Sequence, residues 1–235
     1  MPNPRIILWD LETTNLNADF GYIICGAYKV LGEKPVTLIS IRNNHSNGVT
    51  NDKKVVEKLK KDLSSADMWV TWFGTYFDIP FLQSRLLYHG LSPMPPVPHV
   101  DGWYIAKKKL HIHSNRLASV SSFLGIEEKT KLDGPLWIAA SAGDAKAQRY
   151  VEEHCVQDVK VLEQAYNRLK ALTTTHPNVN LMLNMSGLRC PVCSSTDLKK
   201  GGFRHMRTGR VQRYQCGKCH AWSQGKPMSA NVEAR

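Results

Sequence analysis

Residues 5–14 read RIILWDLETT, and this stretch decides the fold prediction. Four apolar residues, Ile6 to Trp9, run directly into Asp10, and Glu12 follows with one residue between. The apolar run predicts a buried β-strand. Because residues two apart on a strand project from the same face, both carboxylates point into one small volume. Crowded carboxylates repel each other, and oxygen-ligated Mg²⁺ or Mn²⁺ would relieve that repulsion. An exposed strand end with two solvated acids is the alternative.

Two further acids occupy positions that favour a partner or a metal. Asp78 follows the apolar run WVTWF (69–73) where a helix is predicted to begin, and a helix cap is its alternative role. Asp158 lies in the middle of a predicted helix, on the face that carries the apolar residues. His154 lies one turn earlier on the same face. A carboxylate on an apolar face is costly unless it is paired or binds a metal.

DLETT (10–14), TYFDIPFL (75–82) and the His-x-x-x-Asp of the last long helix resemble the three exonuclease motifs of the DEDD superfamily. That superfamily includes polymerase proofreading domains and free-standing 3′–5′ exonucleases. The resemblance covers residues 5–172. It implies a ribonuclease H-like fold, which is an α/β fold with a mixed sheet flanked by helices, and phosphodiester hydrolysis with two Mg²⁺ or Mn²⁺ ions. By motif position the metal-binding carboxylates are Asp10, Glu12, Asp78 and Asp158.

His154 is the predicted catalytic base or water-orienting group. In the family this residue is either a Tyr four residues before the last Asp or a His five residues before it. Here a His lies four residues before Asp158, so the residue type matches one subfamily and the spacing matches the other. A half-exposed helical His is the alternative.

Residues beside the first two motifs are predicted to contact the substrate. The resemblance places backbone and hydroxyl contacts to the terminal nucleotide at Thr13, Thr14 and Leu16. Tyr76 and Phe77 could stack on a base, and core packing is their alternative role. Asp101 is expected to act as a cap or turn residue rather than as a further acid of the site.

Four of the six cysteines form two C-x-x-C pairs, CPVC (190–193) and CGKC (216–219). Four thiolates at this spacing predict a closed tetrahedral zinc site. Two disulfides or a redox pair are disfavoured in a cytosolic chain. The segment looks like a zinc ribbon and is too short to bury much core, so zinc is expected to supply its folding energy. The predicted zinc ligands are Cys190, Cys193, Cys216 and Cys219.

Positive charge is concentrated in the C-terminal segment. The chain has a formal net charge of +11, and residues 186–235 contain ten of its 31 basic residues but two of its 20 acidic residues. This asymmetry favours a nucleic-acid partner, with a solubilising tail or a protein-docking ribbon as alternatives. Thr208-Gly209 suggests a hairpin tip. The flanking arginines, with aromatic residues nearby, suit phosphates and exposed bases: Arg204, Arg207, Arg210 and Arg213.

The pattern along the chain predicts an exonuclease domain over 1–172, a linker over 173–187, a zinc ribbon over 188–227 and a tail over 228–235. No stretch approaches the roughly 20 apolar residues of a membrane helix. The N-terminus lacks the features of a signal peptide. We therefore expect a cytoplasmic protein without a membrane partner, and the composition suits a bacterial or viral protein as well as any other.

These patterns together predict a metal-dependent 3′–5′ exonuclease whose ribbon aids nucleic-acid binding. DNA with a single-stranded end is the favoured substrate, because the scissile terminus must leave a duplex to enter a narrow carboxylate site. RNA stays open. A catalytically inactive binding or recruitment module and a structure-selective endonuclease are the two alternatives.

Overall fold

The computed structural model describes residues 4–44, 50–126, 133–207 and 209–229. Arg5–Tyr166 form one compact unit, and a second contains the chain from Asn167 onwards. Among the helices described, none is both long enough and apolar enough to cross a membrane.

A five-stranded mixed sheet forms the centre of the first unit, with strand order β3-β2-β1-β4-β5. Its strands are β1 (Ile6–Thr13), β2 (Ile23–Val30), β3 (Thr37–Ser40), β4 (Met68–Thr71) and β5 (His99–Asp101). β1 pairs with β2 and β2 with β3 in antiparallel register, whereas β4 is parallel to both β1 and β5. The prediction of an α/β fold with a mixed sheet is confirmed.

β1 runs further than its apolar residues alone suggest. The strand continues through Asp10 and Glu12 to Thr13 and stays paired with β2 along this length. β4 pairs with β1 as far as Leu8. The two carboxylates therefore lie on a regular strand, past the last described pairing with β4. Here the edge of β1 that faced β4 can contact other parts of the protein.

The helices flank this sheet. Their bounds are α1 (Lys53–Leu63), α2 (Asp78–Tyr88), α3 (Gly102–Lys109), α4 (Leu117–Phe123), α5 (Gly134–Ser141), α6 (Ala145–Leu169) and the short α7 (Val179–Met182), with 3-10 turns at Ile41–Asn43 and Lys170–Leu172. The buried face of α1, which includes Val55 and Leu59, packs in one cluster with Trp9 and Trp69. Apolar residues at helical spacing thus cover the sheet, as expected for an amphipathic helix.

Asp52, which precedes α1, has a different role from the helix cap that its position suggests. Its buried carboxylate accepts hydrogen bonds from the amide of Ile23, the guanidinium of Arg85 at 2.7 Å and Nε2 of His89 at 2.6 Å. The side chain of Asn51, one residue earlier, accepts from the amide of Lys53 at the start of α1. Asp52 therefore ties β2 to α2 through a buried ion pair.

The second unit contains a three-stranded antiparallel sheet made of β6 (Leu198–Met206), β7 (Gly209–Cys216) and β8 (Trp222–Ser229). Thr208, half of the predicted hairpin tip, lies outside the described residues. Four buried residues of this sheet and its turns, Cys190, Val192, Cys216 and Ala221, form a small apolar cluster. So small a core gives little hydrophobic stabilisation, which is typical of a segment stabilised by a metal.

Candidate active site and zinc-binding cluster

Four predicted site residues from the two ends of the first unit meet at one point. Glu12, His154 and Asp158 each offer a ligand atom within 4.8 Å of the others. Asp10, Glu12 and the thiol of Cys155 form a second group with the same spacing. Because Glu12 belongs to both groups, β1 and α6 present one continuous set of carboxylate, imidazole and thiol ligands. Oxygen-rich sets of this kind suit Mg²⁺ and Mn²⁺.

His154 is buried, with 3% of its surface exposed, so the alternative of a half-exposed helical His is wrong. Its Nε2 lies 3.8 Å from Oδ2 of Asp158. The ring of Trp137 meets the imidazole edge-on, with centroids 5.9 Å apart, and Trp137 Nε1 donates to the carbonyl of Thr13 at 3.0 Å. The indole therefore holds the imidazole beside the carboxylates and links α5 to the end of β1.

Asp78 joins the site from the first turn of α2. Its Oδ1 accepts a hydrogen bond of 3.0 Å from the amide of Leu11, the residue between Asp10 and Glu12. Burial raises the pKa of Asp78 to about 7, and the charges of Asp101 and Asp158 add to this increase, whereas the Leu11 amide opposes it. A buried carboxyl that is costly to ionise is stabilised by a nearby cation. Asp78 thus fits the edge of a divalent-metal site.

The raised pKa of Asp78 predicts a pH-dependent stability in buffer without Mg²⁺ or Mn²⁺. The folded protein holds this proton up to about pH 7, whereas the unfolded chain releases it near the ordinary value of 3.8. The free energy of unfolding should therefore decrease as the pH rises through this interval. In Asp78→Asn the decrease should be smaller than in the parent protein. Melting temperatures of the parent and of Asp78→Asn at pH 5.5 and pH 8 measure the two decreases. Equal decreases would contradict this assignment.

A cavity of about 480 Å³ opens onto two of the acids, Asp10 and Asp158. Trp72, Phe73, Trp103, Arg116 and Leu117 line the rest of it. Trp72 Nε1 donates to the carbonyl of Asn115 at 3.1 Å, which fixes the chain just before Arg116. The exposed Arg116 thus brings a permanent positive charge into a cavity that also contains carboxylates. Such a pairing suits a phosphodiester.

The sequence patterns did not single out Trp72, Trp103 or Arg116 as residues of this cavity. A usable signal was present in WYIAKKK (103–109), where aromatics and lysines recur four residues apart. On α3, Lys107 Nζ lies 4.6 Å from the ring centroid of Trp103, and Lys108 Nζ lies 5.5 Å from that of Tyr104. The i to i+4 spacing places each lysine over an aromatic ring on one helix face.

Asp101 has the structural role predicted for it. Its carboxylate accepts from the amides of Phe73 at 2.8 Å, Thr75 at 3.1 Å and Trp103 at 3.0 Å. It therefore caps α3 and holds the turn after β4. Phe73 in this turn has a positive φ of 68°, an uncommon conformation for a non-glycine residue, and the Asp101 bonds stabilise it.

Three of the predicted substrate contacts share a second cavity of about 420 Å³. Leu16 is 80% exposed, Tyr76 is 55% exposed and Phe77 is half-buried along its wall. The ring of Tyr76, which lines this cavity, lies 5.2 Å from that of Phe73, which lines the cavity that contains Asp10.

The two threonines after the first motif hold the local backbone. The hydroxyl of Thr13, a buried residue, donates to the carbonyl of Asn15 at 2.8 Å. The hydroxyl of Thr14 accepts from the amide of Tyr22 at 3.0 Å. Neither residue is among those that line the two cavities. Their contact with a substrate stays a prediction.

The four paired cysteines come together in the second unit. All four sulfurs lie within 4.8 Å of one another, with Cys190 and Cys219 3.6 Å apart and Cys193 and Cys216 3.7 Å apart. These separations are far longer than a disulfide bond, and the cysteines are free. A tetrahedral zinc ion with Zn–S bonds of about 2.3 Å separates its sulfurs by about 3.8 Å, so the cluster fits zinc.

Each cysteine pair lies on the same kind of turn. The amide of Ser194 donates to the carbonyl of Cys190 at 2.9 Å, and the amide of His220 donates to that of Cys216 at 3.0 Å. Ser194 and His220 both have a positive φ near 60°. The His220 side chain is exposed and does not belong to the described cluster of sulfurs.

The four predicted arginines lie on two faces of the ribbon rather than in one patch. All four are exposed. Arg204 is opposite Val211 and Arg210 is opposite His205, and neighbouring positions on a strand face opposite ways. The guanidinium of Arg210 lies 4.4 Å from the ring centroid of Phe203, whereas that of Arg213 lies 5.4 Å from Trp222. Arg207 follows the end of β6.

Comparisons with known proteins agree with this architecture. Over 140 residues, which are 51% of the chain, it is 29% identical to DNA polymerase III PolC-type of Ureaplasma parvum, and it spans 10% of that relative's length. Its structure is similar to the family B DNA polymerase of the archaeon Pyrobaculum calidifontis, with a TM-score of 0.60 and 15% identity over 79% of this chain and 28% of that one. Residues 7–170, which carry all of the clustered carboxylates, match the family described as RNase_H superfamily. The chain therefore belongs to the RNase_H superfamily.

Proposed function

We propose that this chain is a metal-dependent 3′–5′ exonuclease that hydrolyses phosphodiester bonds at nucleic-acid ends. The observation that carries the proposal is the convergence of Glu12 on β1 with His154 and Asp158 on α6, within 4.8 Å. The superfamily match supports a nuclease role for this arrangement. Divalent ions held there would supply activation of the attacking water and stabilisation of the departing 3′ oxygen.

The protein's own groups have distinct roles in this proposal. Asp10, Glu12 and Asp158 hold the ions directly, whereas Asp78 contributes through its carboxyl at the edge of the cluster. His154 accepts the proton of the attacking water or orients that water, because its buried imidazole faces Glu12 and Asp158. Arg116, which lines the same cavity as Asp10 and Asp158, contacts the phosphodiester.

The substrate is proposed to be DNA with a single-stranded 3′ end. The two cavities are lined by aromatic rings, among them the exposed Phe73 and Tyr76, which stack on unpaired bases more readily than on a closed duplex. The similarity to a PolC-type DNA polymerase favours DNA over RNA. The proposed organisation is a nuclease domain over 1–172, a linker over 173–187, a zinc ribbon over 188–227 that grips the strand, and a tail over 228–235.

Degradation of labelled oligonucleotides tests this function. With Mg²⁺ or Mn²⁺, a 5′-labelled single strand should shorten stepwise, and a 3′-labelled strand should release labelled mononucleotide first. A covalently closed circle should stay intact, because an exonuclease needs an end. Cutting of the circle would support the endonuclease alternative. Absence of metal-dependent hydrolysis with retained binding would support the inactive binding module.

Arg116→Ala should lower kcat/KM for a single-stranded substrate by about tenfold to a hundredfold. The reason is the loss of a charge-assisted contact with a phosphate, which contributes about 1.5–3 kcal/mol. Arg116→Lys should recover part of this loss, since a point charge replaces the planar fork. Arg149→Ala, which removes an exposed arginine from α6, is the matched control. Equal kinetics for the two alanine variants would contradict the role of Arg116.

A further inference from the structure

A third cavity, of about 640 Å³, lies within the C-terminal unit. It is lined by residues of the segment before the first cysteine pair, by that pair's turn and by the ribbon strands. Its charged and aromatic lining residues are Arg189, Arg204, Arg213 and Trp222. None of the lining residues that the structure describes is an Asp or a Glu. The cavity is therefore strongly basic.

Trp222 forms a firm aromatic surface in this cavity. Its ring lies against the backbone of Gly201, where a Cβ atom would collide with the indole. Gly201 lies in the irregular stretch of β6 between Lys200 and Phe203, where the register with β7 shifts. Although the ring is supported in this way, Trp222 is still 46% exposed. The guanidinium of Arg213 lies 5.4 Å from the ring centroid, so a flat ligand would stack on the indole beside this positive charge.

The three arginines are available for an anion. Within the described parts of the chain, none of their guanidinium groups lies within 4.0 Å of a carboxylate. Arg189 is held in place by hydrogen bonds of 3.2 Å to the carbonyls of Ser186 and Ser194, which leave its charge uncompensated. A permanent positive charge without a carboxylate partner favours binding of phosphate.

We propose that this cavity binds one nucleotide of a single-stranded nucleic acid, with its base stacked on Trp222 and its phosphates contacted by Arg204 and Arg213. The proposal rests on the proposed function, since both require a nucleic-acid substrate. It specifies that the ribbon binds single-stranded rather than double-stranded nucleic acid. In a duplex the base faces are already stacked on their neighbours. An aromatic platform therefore distinguishes single strands from duplexes, which phosphate contacts alone do not.

Fluorescence anisotropy with the full chain tests the cavity without hydrolysis. All variants are made in an Asp10→Asn background. The two fluorescein-labelled probes are a single-stranded oligo-dT and a blunt duplex of the same length. Trp222→Ala should weaken single-strand binding about tenfold, whereas Trp222→Phe should retain most of it. Arg204→Ala and Arg213→Ala should each weaken it about fivefold and reduce the salt slope by about 0.7.

Lys226→Ala is the matched control, because it removes one exposed positive charge from β8 that does not line the cavity. Its affinity should stay within about twofold of the parent. The proposal is overturned if Lys226→Ala weakens binding as much as Arg204→Ala, if Trp222→Ala has no effect, or if the duplex binds as tightly as the single strand. The zinc content of each variant verifies the fold, and the exposed arginines test the cavity even if Trp222→Ala does not fold.

The outcomes separate this proposal from the proposed function. Binding is measured in a hydrolysis-deficient background, so a protein without exonuclease activity could still show a Trp222-dependent preference for single strands. Conversely, 3′–5′ degradation with unchanged binding by the Trp222 and arginine variants would reject the cavity alone.

Discussion

Asp10→Asn should reduce the rate of strand hydrolysis by about a thousandfold or more while leaving nucleic-acid binding largely intact. Asp10 belongs to the same ligand group as Glu12, and it lines the cavity that also holds Asp158. The asparagine side chain is uncharged, so the substitution removes one negative charge from a site that must hold divalent cations. A loss of about 4 kcal/mol of transition-state stabilisation corresponds to this factor. Single-turnover cleavage of a 3′-labelled oligonucleotide measures it.

Glu57→Gln is the matched control, because it removes one carboxylate charge from the exposed face of α1. It should retain the parental cleavage rate. Asp158→Asn should behave like Asp10→Asn, since it removes a ligand of the same cluster from α6. Unchanged turnover in Asp10→Asn would refute the site, whereas equal losses in all three variants would indicate a general effect of charge.

Cys190→Ser should cause the second large effect, the loss of bound zinc and of the ribbon fold. Cys190 is fully buried and lies 3.6 Å from Cys219. Structural zinc contributes about 10–16 kcal/mol of apparent binding free energy in zinc-finger peptides, and the small apolar cluster of this ribbon cannot replace it. Zinc content, protease sensitivity of residues 188–227 and affinity for single-stranded DNA are the measurements. We expect substoichiometric zinc, rapid cleavage of the ribbon and weaker binding.

His220→Asn is the control for this experiment. His220 is exposed, follows Cys219 and has a positive φ that Asn tolerates well. This variant should keep its zinc, which would also exclude His220 as a substitute ligand. If Cys190→Ser loses its zinc but keeps its full affinity for DNA, the ribbon is not the part that grips the strand.

The regular parts of the fold and the carboxylates could be predicted from local periodicity. Successive side chains on a strand point to opposite faces, which is sufficient to place Asp10 and Glu12 of β1 on one face. On α6, helical spacing is sufficient to align His154 with Asp158. These positions can be predicted without knowledge of tertiary contacts, because each prediction depends on residues a few positions apart.

Features that depend on distant contacts could not be predicted in the same way. Asp52 has the sequence context of a helix cap, yet its carboxylate is recruited by Arg85 and His89 from another helix. Arg116 has no distinctive neighbours in the sequence, and its place in the cavity depends on the bond between Trp72 and the Asn115 carbonyl. The division of the arginines between two ribbon faces depends on strand register, which composition does not encode.

A crystal structure grown with Mn²⁺ is the most direct measurement of the central claim. We expect two anomalous difference peaks about 3.5–4 Å apart, bound by carboxylate oxygens of Asp10, Glu12 and Asp158. A map without manganese at this cluster, in crystals whose protein degrades DNA in the same buffer, would contradict it.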